Sequence, residues 1–300
     1  MQTAAALKQS DFHHDYAQVG EVRLHYVECG QENDQLVILL HGFPECWYSW
    51  RHQLPVLAER YHAVAPDMRG YNLSDKPAGK KNYVIDLLVK DVVNLIRHFG
   101  KEQAAIVSHD WGAGVAWAVA KRHPEAVTKL VAMQVPPPGC WRANFTIKQF
   151  LSSWYMFFFQ LPKLPEWWAS ANDFARIDKM YRETTVRPGA FSAEDIAVYK
   201  EALRQPGALT ATVNYYRANV FKSFYRGGVE TPDEGPIKVP TLFIYGEKDI
   251  AVLPSTVRKL ERFIDAPYRE LRIPDSGHWV QNEAVAEVNA ALLEFLSEKF

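Results

Sequence analysis

Ser108-His109-Asp110-Trp111-Gly112 stands between an apolar run, residues 104–107, and a stretch of small and apolar residues, 112–122, that ends at His123-Pro124. The run reads as a strand and the stretch as a helix stopped at its proline. Small residues lie two before and two after Asp110. That is the spacing of a nucleophile elbow, a sharp strand-to-helix turn with no room for bulky neighbours. The usual serine is replaced by aspartate. A carboxylate is a competent nucleophile: it attacks an electrophilic carbon and leaves an ester on the enzyme. The adjoining helix N-terminus favours its ionised form. Read alone, Asp110 is equally an N-cap.

Outward from the elbow, strands and helices alternate. Leu36–Leu40 is a continuous apolar run, as in a strand covered on both faces of a parallel sheet. Residues 21–28, His62–Pro66, 127–135, 241–245 and Tyr268–Ile273 read as further strands. Residues 50–59, 84–99, 255–263 and 283–296 read as helices, with Gly100 placed to stop the second. Pro136-Pro137-Pro138-Gly139 breaks the alternation, and residues 136–235 are helical and aromatic in texture. The expected fold is α/β: a mostly parallel central sheet flanked by helices, in two core parts, 1–135 and 236–300, with an inserted helical cap, 136–235.

Two residues downstream give Asp110 partners. Tyr245-Gly246-Glu247-Lys248-Asp249 ends a strand and puts Asp249 in the loop beyond it, where catalytic groups gather in open α/β sheets. Pro274-Asp275-Ser276-Gly277-His278-Trp279 puts His278 after the last strand. Nucleophile, acid, histidine is the chain order that goes with such an elbow. His278 is then the base and Asp249 its orienter, with Glu247 as a rival acid. The loop after Leu36–Leu40 carries His41-Gly42-Phe43-Pro44, and the amides of Phe43 and Trp111 are the expected oxyanion donors. His41 reads as structural, because His278 already fills the role of base.

Composition narrows the function class. A formal net charge of −1 carries no basic footprint for nucleic acid. Three scattered cysteines form neither a disulfide framework nor a CxxC site, which fits a reducing compartment. Residues 1–20 lack the apolar core of a signal peptide, and no apolar run reaches the ~18–20 residues of a membrane span, so a cytoplasmic protein with no membrane partner is expected. His13-His14 has no nearby ligands at metal spacing. Gly112-Ala113-Gly114 resembles a dinucleotide fingerprint, but Trp117 stands where the third glycine belongs.

His41-Gly42-Phe43-Pro44-Glu45, Asp67-Met68-Arg69-Gly70-Tyr71, His109-Asp110-Trp111-Gly112, Gly246-Glu247-Lys248-Asp249 and Gly277-His278-Trp279 together resemble the epoxide hydrolases of the α/β-hydrolase superfamily. The resemblance spans residues 16–295. It implies two cap tyrosines that hold the epoxide oxygen. Trp154-Tyr155-Met156-Phe157-Phe158-Phe159-Gln160 points to Tyr155, and Asn214-Tyr215-Tyr216-Arg217 to Tyr216, with Tyr215 as the alternative. It also implies a small apolar epoxide and water as reactants, and no metal or organic cofactor. Haloalkane dehalogenases share the His-Asp-Trp-Gly motif. Their halide cradle would need Trp111 and a cap indole from Trp141, Trp154, Trp167 or Trp168; Phe43 fills the position of their asparagine. A third reading is a non-catalytic small-molecule binder on the same fold.

Overall fold

The computed structural model describes residues 12–225 and 235–300. Residues 1–11, at the start of the segment tested for a signal peptide, and 226–234, near the end of the expected cap, lie outside the described residues. Eight strands form one sheet: β1 (His13–Val19), β2 (Val22–Cys29), β3 (Leu36–Leu40), β4 (His62–Pro66), β5 (Ala104–His109), β6 (Val127–Met133), β7 (Thr241–Gly246) and β8 (Tyr268–Ile273). Their order is β1-β2-β4-β3-β5-β6-β7-β8. β2 runs antiparallel to both of its neighbours, and every other pairing is parallel.

The central strands are largely apolar because each one feeds two cores. Successive side chains point to opposite faces. Ile38, Leu40, Ile106, Leu130, Ala132, Phe243 and Tyr245 face one core. Val37, Leu39, Val107, Val131, Met133, Leu242 and Ile244 face the other. The helices are α1 (Leu54–Ala58), α2 (Ile85–His98), α3 (Trp111–Arg122), α4 (Pro138–Ala143), α5 (Ile147–Ser152), α6 (Trp154–Phe158), α7 (Leu164–Thr184), α8 (Ala193–Arg204), α9 (Ala208–Tyr225), α10 (Val280–Glu283) and α11 (Val285–Ser297). α2 and α3 cover the first face, and α1 and α11 the second. α4 to α9 all lie between β6 and β7 in sequence, and α7 is kinked at Ala171–Phe174.

Several expected elements differ. β1 was not expected; it is an edge strand with mostly exposed side chains and so lacks the apolar run that marks its neighbours. The helix expected at 50–59 shrinks to a 3₁₀ turn, Trp47–Trp50, and α1. Pro55 has no N–H to donate and fits only the first helical turn. The helix expected at 255–263 is a series of turns ending in a 3₁₀ segment, Leu260–Phe263. The carbonyls of Thr256 and Arg258 are taken instead by Cys140 Sγ and the Asn144 amide. Ala284 leaves helical geometry and separates α10 from α11.

What this topology does for function lies at the carboxyl ends of the parallel strands. β3 sits between β4 and β5, so the chain reverses its winding there. Such a switch point opens a crevice between the loops that leave the two strands. The loops after β3, β5, β6, β7 and β8 share that edge, because Leu40 pairs with Ser108, His109 with Met133, Met133 with Ile244 and Gly246 with Ile273.

Candidate active site

Asp110 sits at the turn from β5 into α3 with φ 49° and ψ −118°, a strained conformation for a side-chain-bearing residue. The turn is tight enough to forbid side chains nearby. A Cβ on Gly112 would lie 2.2 Å from the Leu40 carbonyl oxygen, and one on Gly42 would lie 2.4 Å from Asp110 Cβ. Asp110 does not cap α3 with its side chain. Its Oδ1 accepts instead from the Phe43 amide at 2.8 Å. Its Oδ2 lies 3.7 Å from His278 Nε2.

His278 is buried, and its Nδ1 lies 2.8 Å from Asp249 Oδ2. Burial works against its cation, but Asp249 and then Asp110 and Glu45 outweigh it and raise the imidazole to about 9. Asp249 is also buried; its Oδ1 accepts from the amides of Ala251 and Val252 at 2.7 and 2.9 Å. Glu247, the rival acid, pairs with Arg272 at 2.9 Å. His41 Nε2 accepts from the Met68 amide and Nδ1 donates to the Gly42 carbonyl, at 3.0 and 2.9 Å, so backbone occupies both ring nitrogens.

Two helices from the segment between β6 and β7 close over this edge. α9 brings the Tyr216 ring to 5.4 Å from Phe43 and 5.1 Å from Trp111. α6 brings the Tyr155 ring to 5.9 Å from that of Tyr216. Burial, reinforced by the charge of Asp110, pushes both phenols well above their ordinary range, so both hold their protons. Tyr215, the alternative to Tyr216, donates its hydroxyl to the Arg69 carbonyl at 2.7 Å and is committed to the fold. Phe159 closes the lining, 4.9 Å from Tyr216 and 5.5 Å from Phe43.

Three further side chains belong to this edge, and the sequence reading gave them no role. Glu45 is fully buried and accepts from the Gly42 amide at 3.0 Å, from Gln281 at 2.9 Å and from the Ser49 hydroxyl. Burial opposes its charge, yet His109, Ser49 and His41 bring its pKa down to about 2. His109 links Glu45, 2.7 Å from Nδ1, to the His278 carbonyl, 2.8 Å from Nε2. Gln134 leaves β6 and bonds Asp249, Gly246 and Gly277. The available signal was a lone polar residue at the end of an apolar strand, just before the Pro136-Pro137-Pro138 break. Among the described residues no cluster of metal-binding side chains occurs, and no helix is long and apolar enough to cross a membrane.

Known proteins share this architecture. The model of the α/β hydrolase fold family matches residues 35–285, so the chain belongs to that family. Within it, the chain is a member of the epoxide hydrolase group. It is 38% identical to epoxide hydrolase 3 of Xenopus tropicalis, over 93% of this chain and 76% of that one. It is also 38% identical to the AB hydrolase superfamily protein YfhM of Bacillus subtilis, over 93% of this chain and 96% of that protein. The epoxide hydrolase of Bacillus megaterium, solved with an inhibitor, superposes with a TM-score of 0.86 at 31% identity, covering 95% of this chain and 100% of that one. A mutant of that enzyme was solved with its product, a naphthyloxy-propane-diol.

Proposed function

We propose that this chain opens an apolar epoxide to a vicinal diol through a covalent ester on Asp110. The observation that carries this reading is the placement of Asp110. One carboxylate oxygen is held by an amide, the other lies 3.7 Å from His278, and the rings of Tyr155 and Tyr216 stand over the same edge. In the first step Asp110 attacks an epoxide carbon. The carbon–oxygen bond breaks, and the departing oxygen takes a proton from Tyr155 or Tyr216. In the second step His278, oriented by Asp249, takes a proton from water, which attacks the carbonyl carbon of the ester. The amides of Phe43 and Trp111 hold the tetrahedral oxyanion. The diol leaves, Asp110 keeps one oxygen from the water, and the proton returns from His278 to the tyrosinate.

Membership of the epoxide hydrolase group supports this reading over dehalogenation. Trp154 and Trp167, two of the four indoles a halide cradle would draw on, present most of their surface to solvent. The wall of Phe43, Phe159, Tyr155 and Tyr216 suits an apolar, aryl-bearing substrate, the chemistry of the diol bound by the Bacillus megaterium mutant. The test is one turnover of styrene oxide in heavy-oxygen water, followed by mass spectrometry of the peptide carrying Asp110. Label in Asp110 is expected, because water attacks the ester and not the epoxide. Label only in the diol would overturn the ester.

A further inference from the structure

Gln134 occupies an unfavourable place for a long polar side chain. Its φ is +65°, in the left-handed region that strains a residue with a side chain, and the side chain is fully buried. Its amide is nevertheless engaged at both ends. Oε1 accepts from the Gly246 amide at 2.7 Å, and Nε2 donates to Asp249 Oδ2 and to the Gly277 carbonyl, both at 2.8 Å. The orientation is forced by chemistry: the Gly246 N–H can only donate, and a carbonyl and a carboxylate can only accept. One side chain therefore ties the exit of β6 to the exit of β7, to the loop of the acid and to the loop of the base.

The oxygen it chooses is the one His278 uses. Oδ2 of Asp249 faces both His278 Nδ1 and Gln134 Nε2, while Oδ1 takes the amides of Ala251 and Val252. Four donors thus meet a carboxylate that has about four lone-pair sites. A neutral donor sharing an oxygen with an imidazole draws off part of its negative charge and weakens its hold on the imidazole proton. The ionisable groups facing His278 are Asp249, Asp110, Glu45, Tyr155 beside Asp110 and Asp249, His109 with its ring 4.9 Å away, and Glu283, which accepts from the amides of Gly277 and Trp279. Gln134 is an uncharged side chain that shares Asp249 Oδ2 with this group.

We infer that Gln134 is a positioning residue for the hydrolytic step: it locks the Asp249 carboxylate against His278 and limits how strongly Asp249 keeps His278 protonated. The inference rests on the roles proposed above for Asp110, Asp249 and His278.

Gln134→Met keeps the length of the side chain and removes the amide. Two measurements on it decide the matter: an NMR titration of the His278 imidazole in the resting protein, and single turnovers of styrene oxide that separate ester formation from ester hydrolysis. The His278 midpoint should rise above the wild-type value. Ester hydrolysis should slow ~10-fold or more at pH 7, with ester formation little changed and the deficit narrowing as pH rises. An unmoved midpoint, or an equal loss in both steps, would make Gln134 a packing residue and overturn the inference. Should Gln134→Met fail to fold, Gln134→Asn, which draws the amide back by one methylene, takes the same measurements. If the wild type yields no diol, the ester mechanism falls, and the NMR midpoint still reports whether Gln134 tunes His278.

Discussion

At the scale of single residues, the proposed mechanism requires His278 to change its behaviour within one turnover. With Asp110 charged, its imidazole is raised to about 9 and is mostly protonated at neutral pH. In the proposed mechanism alkylation would remove the charge of Asp110, one of the groups that support the cation, and so free the imidazole to act as base. The ester-hydrolysis rate should therefore rise with pH to a midpoint below about 9 and then level off. Ester decay followed across pH 6–10 checks this, and a flat profile would remove His278 as the base. His278→Gln should form the ester and stall there, giving a protein heavier by the mass of the substrate. That Asp110, Asp249 and His278 would meet was legible in the sequence because each stands in the turn or loop that leaves the end of a strand. Glu45, His109 and Gln134 were not legible as a network. Their bonds join residues 64, 115 and 169 positions apart, and no local pattern encodes such a distance.

At the scale of elements, the elbow depends on two glycines more than on propensity. Gly42→Ala would drive its methyl group into the Asp110 side chain while leaving the strands intact. Displacement of a nucleophile by about 1 Å can cost ~10²-fold in rate. A loss of that order is expected in ester formation, with the circular dichroism spectrum unchanged; near-normal turnover would mean that the turn relaxes freely. α6 and α9 carry the phenols of Tyr155 and Tyr216, which under the proposed function share one role and would cover in part for each other. Tyr155→Phe and Tyr216→Phe should each slow ester formation, and the double variant should lose ~10²–10⁴-fold. Ester formation at the wild-type rate in the folded double variant would return both rings to packing. β3 and β7 were legible because burial on both faces leaves an apolar run. β1 escaped because an edge strand has little to bury, and the segment at 255–263 because its carbonyls are claimed by side chains more than a hundred residues away.

At the scale of the whole molecule, the site and the stability of the fold share a proton. A histidine whose pKa rises on folding, from 6.5 to about 9, adds stability that is complete below pH ~6.5 and is lost as pH climbs through about 9. The melting-temperature difference between wild type and His278→Gln should shrink over that window; a constant difference would show that the titration is not linked to folding. The course of the chain carries a further consequence. The helices α4 to α9 leave from β6 and return at β7, and these strands lie side by side, with Leu130 opposite Thr241 and Met133 opposite Ile244. Lengthening such a connection costs little, since closure entropy grows only with the logarithm of loop length. Chain spliced in at this seam leaves the sheet untouched, and Asp110, Asp249 and His278 all stand outside it. The phenols stand inside it. Under the proposed roles, the bond-forming half of the chemistry is inherited with the sheet, while the handling of the leaving group travels with the splice. Recombination at one seam can therefore turn a lineage toward a new leaving group without touching its nucleophile.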